Sequence, residues 1–150
     1  DSAKYIFIIR DGRDVINSLV KMMRTNKKYQ SYTEHQLLMQ ATELWNKSIN
    51  VYDWLQDKGA HLLLVKYEDF TSNPAKKLKE LASFLNIELG NLQEGEKGKS
   101  MGVQNMLHHQ NLSKPISTNS IGKWRNELPQ EQFSLILPLI KENLKKFNYS

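Results

Sequence analysis

The stretch from Tyr5 to Met23, YIFIIRDGRDVINSLVKMM, constrains the fold of this chain more than any other. Tyr5 to Ile9 is an unbroken run of β-branched and aromatic types, which predicts a short strand buried on both faces of a parallel sheet. Arg10-Asp11-Gly12-Arg13 then forms a polar turn, with a glycine where the backbone must bend. After it Val15, Ile16, Leu19, Val20 and Met23 recur at helical spacing. In open α/β sheets ligands bind outside the carboxyl ends of the strands. Arg10 is therefore expected at that rim, where a guanidinium can grip a phosphate through two parallel hydrogen bonds. Ser18 lies eight residues on, in the predicted helix, and an arginine reaching back over that helix can set its fork beside the hydroxyl. The plainer reading of the same residues is a solvated turn followed by a helix serine.

The segment IIRDGRDVINSL carries a family resemblance. It resembles the 3′-phosphate-binding segment of the sulfotransferases that use 3′-phosphoadenosine 5′-phosphosulfate (PAPS). There an arginine ending a strand and a serine eight residues later bind the nucleotide's 3′-phosphate. The resemblance implies that role for Arg10 and Ser18.

Composition narrows the class. The 150 residues suffice for one domain with a real core, and 39% hydrophobic with 25% charged residues is ordinary for a globular chain. A net charge of +5 favours an anionic partner. The lysines are scattered, as at Lys27-Lys28, Lys76-Lys77 and Lys145-Lys146, which fits solvated helix faces better than a nucleic-acid surface. There is no cysteine, hence no disulfide framework and no thiolate metal site, and a cytoplasmic location is the expectation. No apolar run approaches the roughly 20 residues of a membrane span. The sequence has no initiator Met and opens almost directly on a predicted buried strand, so it reads as the C-terminal part of a longer protein, with residues 1–150 as one domain.

Residues 24–33 are polar and without period, as in a surface loop. Thr33 can then cap a helix whose stripe of Leu37, Leu38, Ala41, Leu44, Trp45, Ser48, Tyr52 and Leu55 runs to a Lys58-Gly59 stop. Trp45 and Trp54 suggest an aromatic platform, but at helical spacing they read as core or groove-lining residues. His61 to Lys66 is a second apolar run, and the alternation of strand, helix and strand argues for a βαβ unit in a parallel sheet. Tyr67 would leave that sheet at the same edge as Arg10, either facing a purine or packing on its neighbours at the rim. The KYEDF run resembles the sulfotransferase segment whose tyrosine contacts adenine. Glu68 and Asp69 read as helix-capping carboxylates. Asn73-Pro74 opens another helix, with Leu78, Leu81, Ala82 and Leu85 as its buried stripe.

The second informative stretch, HHQNLSKPISTNSIGKWRNEL from His108 to Leu128, combines cations, hydroxyls and a glycine turn. That chemistry is suited to wrapping a phosphate. It resembles the C-terminal cofactor loop of sulfotransferases, above all the bacterial and protein-tyrosine branches, where the loop ends in a Lys-Trp pair. The resemblance places Lys114, Ser117, Thr118 and Lys123 on the nucleotide. It departs from the cytosolic small-molecule branch, whose Arg-Lys-Gly triplet is here Ser117-Thr118-Asn119, so that branch's acceptors do not carry over. His108 and His109 read as a solvated pair, with a ligand or base role as the alternative. After Pro129 a last helix carries Phe133, Ile136, Leu137, Ile140, Leu144 and Phe147, with a kink expected at Pro138.

Together these segments resemble a PAPS-dependent sulfotransferase, which implies an α/β fold: a parallel sheet flanked by helices, related to the P-loop NTPases. The family's 5′-phosphosulfate loop and usual catalytic base are expected upstream of Asp1 or on a second chain, and neither Gly-Lys-Ser nor Gly-Lys-Thr occurs here. The implied reaction transfers a sulfuryl group from PAPS to an acceptor hydroxyl or amine on a small molecule, glycan or protein. It releases 3′-phosphoadenosine 5′-phosphate (PAP) and needs no metal. Two rivals stay open: a nucleotide-kinase-like α/β fragment, disfavoured by the missing phosphate-binding loop, and a nucleotide-binding domain without turnover.

Overall fold

The computed structural model describes residues 3–88 and 116–149. The chain divides into two compact units, Asp1–Lys66 with Asn119–Ser150, and Tyr67–Thr118.

In the first unit, strand β1 (Lys4–Ile9) pairs in parallel with β2 (His61–Lys66), in a register that sets Lys4 beside His61 and Ile9 beside Lys66. Between them run α1 (Gly12–Thr25), a short 3-10 turn over Lys27–Tyr29, and α2 (Glu34–Asp57), so the predicted βαβ unit has two helices in its crossover. Thr33 caps α2 as expected. Its hydroxyl accepts from the Gln36 amide while the Gln36 side chain accepts from the Thr33 amide, so two orphan donors of the first turn are satisfied reciprocally. Gly59 follows the last turn of α2 at φ +63°, where a side chain would be strained. Two helices from the C-terminal stretch complete the unit: α5 (Trp124–Glu127) and α6 (Gln130–Lys146). Helix α6 continues through Pro138.

The core lies between Ile9, the α1 stripe of Ile16, Val20 and Met23, the α2 stripe from Leu37 to Tyr52, and the α6 residues Ile136, Ile140 and Leu144. Side-chain amides fasten α2 to α6, with Asn143 donating to Asn46 at 2.9 Å and Asn46 to the Leu139 carbonyl at 3.1 Å. One expectation needs correction. Strand β1 is not buried on both faces: Ile6 is 39% and Ile8 65% exposed. The physical reason is that side chains alternate between the faces of a strand, and among the described residues the helices of this unit pack on the face of Phe7 and Ile9, leaving the face of Ile6 and Ile8 uncovered. Of the two tryptophans read as core or groove-lining, Trp45 is core and Trp54, 58% exposed, lines a groove with Tyr5 and His61.

In the second unit, the segment after β2 is a short helix, α3 (Tyr67–Ser72), with Glu68 and Asp69 in its first turn. Helix α4 (Pro74–Leu85) starts as predicted, Asn73 accepting from the Lys76 amide ahead of Pro74. Lys77 of α4 pairs with Glu80 at 2.9 Å and approaches Asp69 at 3.8 Å. Among the described residues no helix is long and apolar enough to cross a membrane.

Candidate anion site at the end of β1

Four consecutive residues after β1 set the site. Asp11 caps α1 by accepting from the Arg13 amide at 2.9 Å, and the same carboxylate takes the Arg13 guanidinium in a fork, Nε to Oδ1 at 2.9 Å and Nη2 to Oδ2 at 2.7 Å. Both residues are buried. Gly12 is glycine because of what lies above it, not because of its backbone. A Cβ there would meet the Trp45 indole at 2.7 Å, and that indole donates to the Arg10 carbonyl at 3.3 Å. Close approach of Trp45 thus fixes where β1 ends and where the Arg10 side chain begins.

Arg10 leaves the carboxyl end of β1 with 22% of its side chain exposed. Its guanidinium donates to the Ser120 carbonyl and stands 3.8 Å from Asp14. Asp14 is almost fully buried, and its two oxygens accept from the backbone amides of Gly122, at 2.7 Å, and Trp124, at 3.0 Å. Gly122 turns the chain at φ +73°, a conformation that favours glycine. Trp124 stacks on Phe133 at 5.1 Å between ring centroids, with the Arg13 guanidinium 4.3 Å and the Arg125 guanidinium 4.8 Å from its ring. Cations over an indole face are attracted by its quadrupole. One and two turns further along α1, Asn17 and Lys21 both hold Glu127, at 2.7 and 2.8 Å. The Lys21 bond first, then that of Asn17, keeps the Glu127 carboxyl below its ordinary range.

The residues singled out from sequence fall as follows. Arg10 and Lys123 belong to the same unit and meet through the turn at 120–124: Arg10 binds its first residue, and Lys123 sits exposed between the two amides held by Asp14. Ser18 is exposed on α1. Tyr67, Ser117 and Thr118 lie in the second unit. Tyr67 is the half-buried first residue of α3, its carbonyl accepting from the Thr71 hydroxyl at 3.0 Å, while Ser117 and Thr118 are exposed. Lys114, His108 and His109 lie outside the described residues. Sequence reasoning missed Asp14 and Arg13. The available signal was an acidic residue four positions after Arg10 in the first turn of a helix, the spacing at which side chains meet. Among the described residues no group of His, Asp and Glu could hold a metal.

A family model described as the sulfotransferase domain matches residues 1–148. The chain belongs to the sulfotransferase domain family. Its relatives include protein-tyrosine sulfotransferase 1 of Danio rerio, 26% identical over 92% of this chain and 41% of the relative. Protein-tyrosine sulfotransferase A of Caenorhabditis elegans is 25% identical over 87% of this chain and 35% of the relative. The solved sulfotransferase domain from the curacin biosynthetic pathway superposes with a TM-score of 0.60 at 21% identity, over 92% of this chain and 53% of that one. The α/β architecture is thus the sulfotransferase fold, and this chain spans less than half the length of these curated relatives.

Proposed function

We propose that this chain supplies the 3′-phosphate and adenine side of a PAPS-dependent sulfotransferase, acting on an acceptor hydroxyl or amine. The observation that carries the reading is Arg10, placed at the carboxyl end of a parallel strand in a chain of the sulfotransferase family, with its side chain partly exposed. The donor set suits a phosphate: a planar cation at Arg10, an exposed ammonium at Lys123 and an exposed hydroxyl at Ser18. In the second unit, the Tyr67 ring is proposed for the adenine, and Ser117 and Thr118, with Lys114, for the phosphates. Bound PAPS would supply a sulfur that the acceptor oxygen or nitrogen attacks as the bond to the bridging phosphate oxygen breaks, the acceptor proton passing to a base and PAP leaving. The residues of this chain bind and orient the nucleotide, and fixed donors prepaid in the fold favour the charge on the leaving group. Completion of the site by an upstream segment or a second chain belongs to the same proposal.

Calorimetry with PAP and with adenosine 5′-phosphate tests the binding half of the reading. Arg10, Ser18 and the 117–123 segment address the additional 3′-phosphate, so PAP should bind more tightly by about 1.5–3 kcal/mol. Equal affinities with the chain folded would overturn it.

A further inference from the structure

The Arg10 guanidinium proposed to take an anion lies 3.8 Å from a buried carboxylate, Asp14. A negative charge beside an anion-binding cation opposes the anion, so as an electrostatic neighbour alone Asp14 would weaken the site. Its geometry points elsewhere. Both of its oxygens are spent on backbone amides of one turn, those of Gly122 and Trp124, and the residue between those amides is Lys123. On the other side of the turn Arg10 donates to the Ser120 carbonyl. The turn at 120–124 is thereby gripped at three of its five residues, by Asp14 in the first turn of α1 and by Arg10, two residues before that helix. The Trp124 ring is packed against Phe133 and under Arg13.

We infer that Asp14 is a positioning residue: its carboxylate fixes the turn so that Lys123 and Arg10 address the same phosphate, at the cost of a like charge near the anion. The inference rests on the proposed nucleotide-binding role and adds a residue that the phosphate itself would not touch. It has a sign that a merely electrostatic neighbour could not produce, because removing the charge should weaken anion binding. Asp14→Asn retains the shape of the side chain but replaces one amide acceptor by an amide donor, which faces an N–H and breaks the clamp.

The experiment is a double-mutant cycle on Asp14→Asn and Lys123→Ala, read as affinity for PAP and for adenosine 5′-phosphate, with near-ultraviolet circular dichroism as the check of folding. Asp14→Asn should weaken PAP roughly 10-fold or more while changing adenosine 5′-phosphate far less, and Lys123→Ala should cost little further in the Asp14→Asn background. PAP binding that is unchanged or tighter in Asp14→Asn overturns the inference, and so do two fully additive losses. If Asp14→Asn does not fold, Gly122→Ala carries the test. At φ +73° an alanine is strained whatever the space around it, so the substitution perturbs the turn that carries the clamped amide while leaving Asp14 and Arg10 intact. The same selective loss supports the inference and unchanged affinity ends it. A wild-type chain that does not prefer PAP removes the proposed function together with the inference, whereas a preference that survives both variants removes the inference alone.

Discussion

Arg13→Ala would take a guanidinium out of a buried fork with Asp11 and off the face of Trp124. From sequence this arginine reads as a bystander of the turn, since Arg10 is the one that ends the strand. Burial gives it a structural task instead, and losing one partner of a buried ion pair leaves a carboxylate in a poor solvent for charge. Chemical denaturation should show a loss of about 3 kcal/mol, and a change below about 0.5 kcal/mol would mean that Asp11 finds water. Arg10 is different because it is partly exposed and close to the proposed ligand. Arg10→Lys should weaken PAP almost as much as Arg10→Ala, since a point charge cannot reproduce a planar fork that also serves the Ser120 carbonyl. Binding close to wild type in Arg10→Lys would show that charge alone is read. Gly12 shows how a correct residue assignment can rest on the wrong cause. Its place in the turn is legible, but the reason, an indole supplied by a residue 33 positions later, is a tertiary fact.

At the scale of elements, both strands, α1, α2, α4 and α6 were legible because each carries its own period and its own end signals. The Thr33 capping box, Gly59 and Asn73-Pro74 act through bonds within a few residues of themselves, and local chemistry of that kind survives any context. The Tyr67–Ser72 helix was missed since it is too short to show a period. The two sides of β1 were misread because burial depends on which elements pack over each face, which its letters do not say. The turn at 120–124 is read from its glycine and lysine, whereas its anchor, Asp14, is more than 100 residues away. Helix α5 adds a second tie to α1, through Glu127 held by Lys21 and Asn17. The folded-state pKa of Glu127 lies below its ordinary value. The stabilisation is therefore present above about pH 4.3, the ordinary glutamate value, and is lost as the pH falls through the lower folded value. Glu127→Gln should cost about 0.5 kcal/mol near pH 7, as partly exposed pairs do, and the gap to wild type should close as the pH falls through the lowered folded value. Urea midpoints followed across that range decide it, and a gap of constant size would assign the cost to something other than the ion pair.

For the whole molecule, a net charge of +5 suits a chain whose proposed ligand carries several negative charges, and family membership makes sulfuryl transfer the chemistry to test. Among the described residues β1 is paired along one edge, and the apolar side chains of Ile6 and Ile8 on one of its faces are open to solvent. The most direct measurement is transfer of label from PAPS to a mixture of phenolic, alcohol and peptide acceptors. It is run with the 150-residue chain alone and with the same chain joined to, or mixed with, an upstream segment bearing the sulfate-cradling loop. Label should reach an acceptor only in the second case and should be lost with Arg10→Ala. Transfer by the chain alone, or transfer by the completed protein that Arg10→Ala leaves untouched, would contradict the assignment of this chain as the 3′-phosphate half of the site.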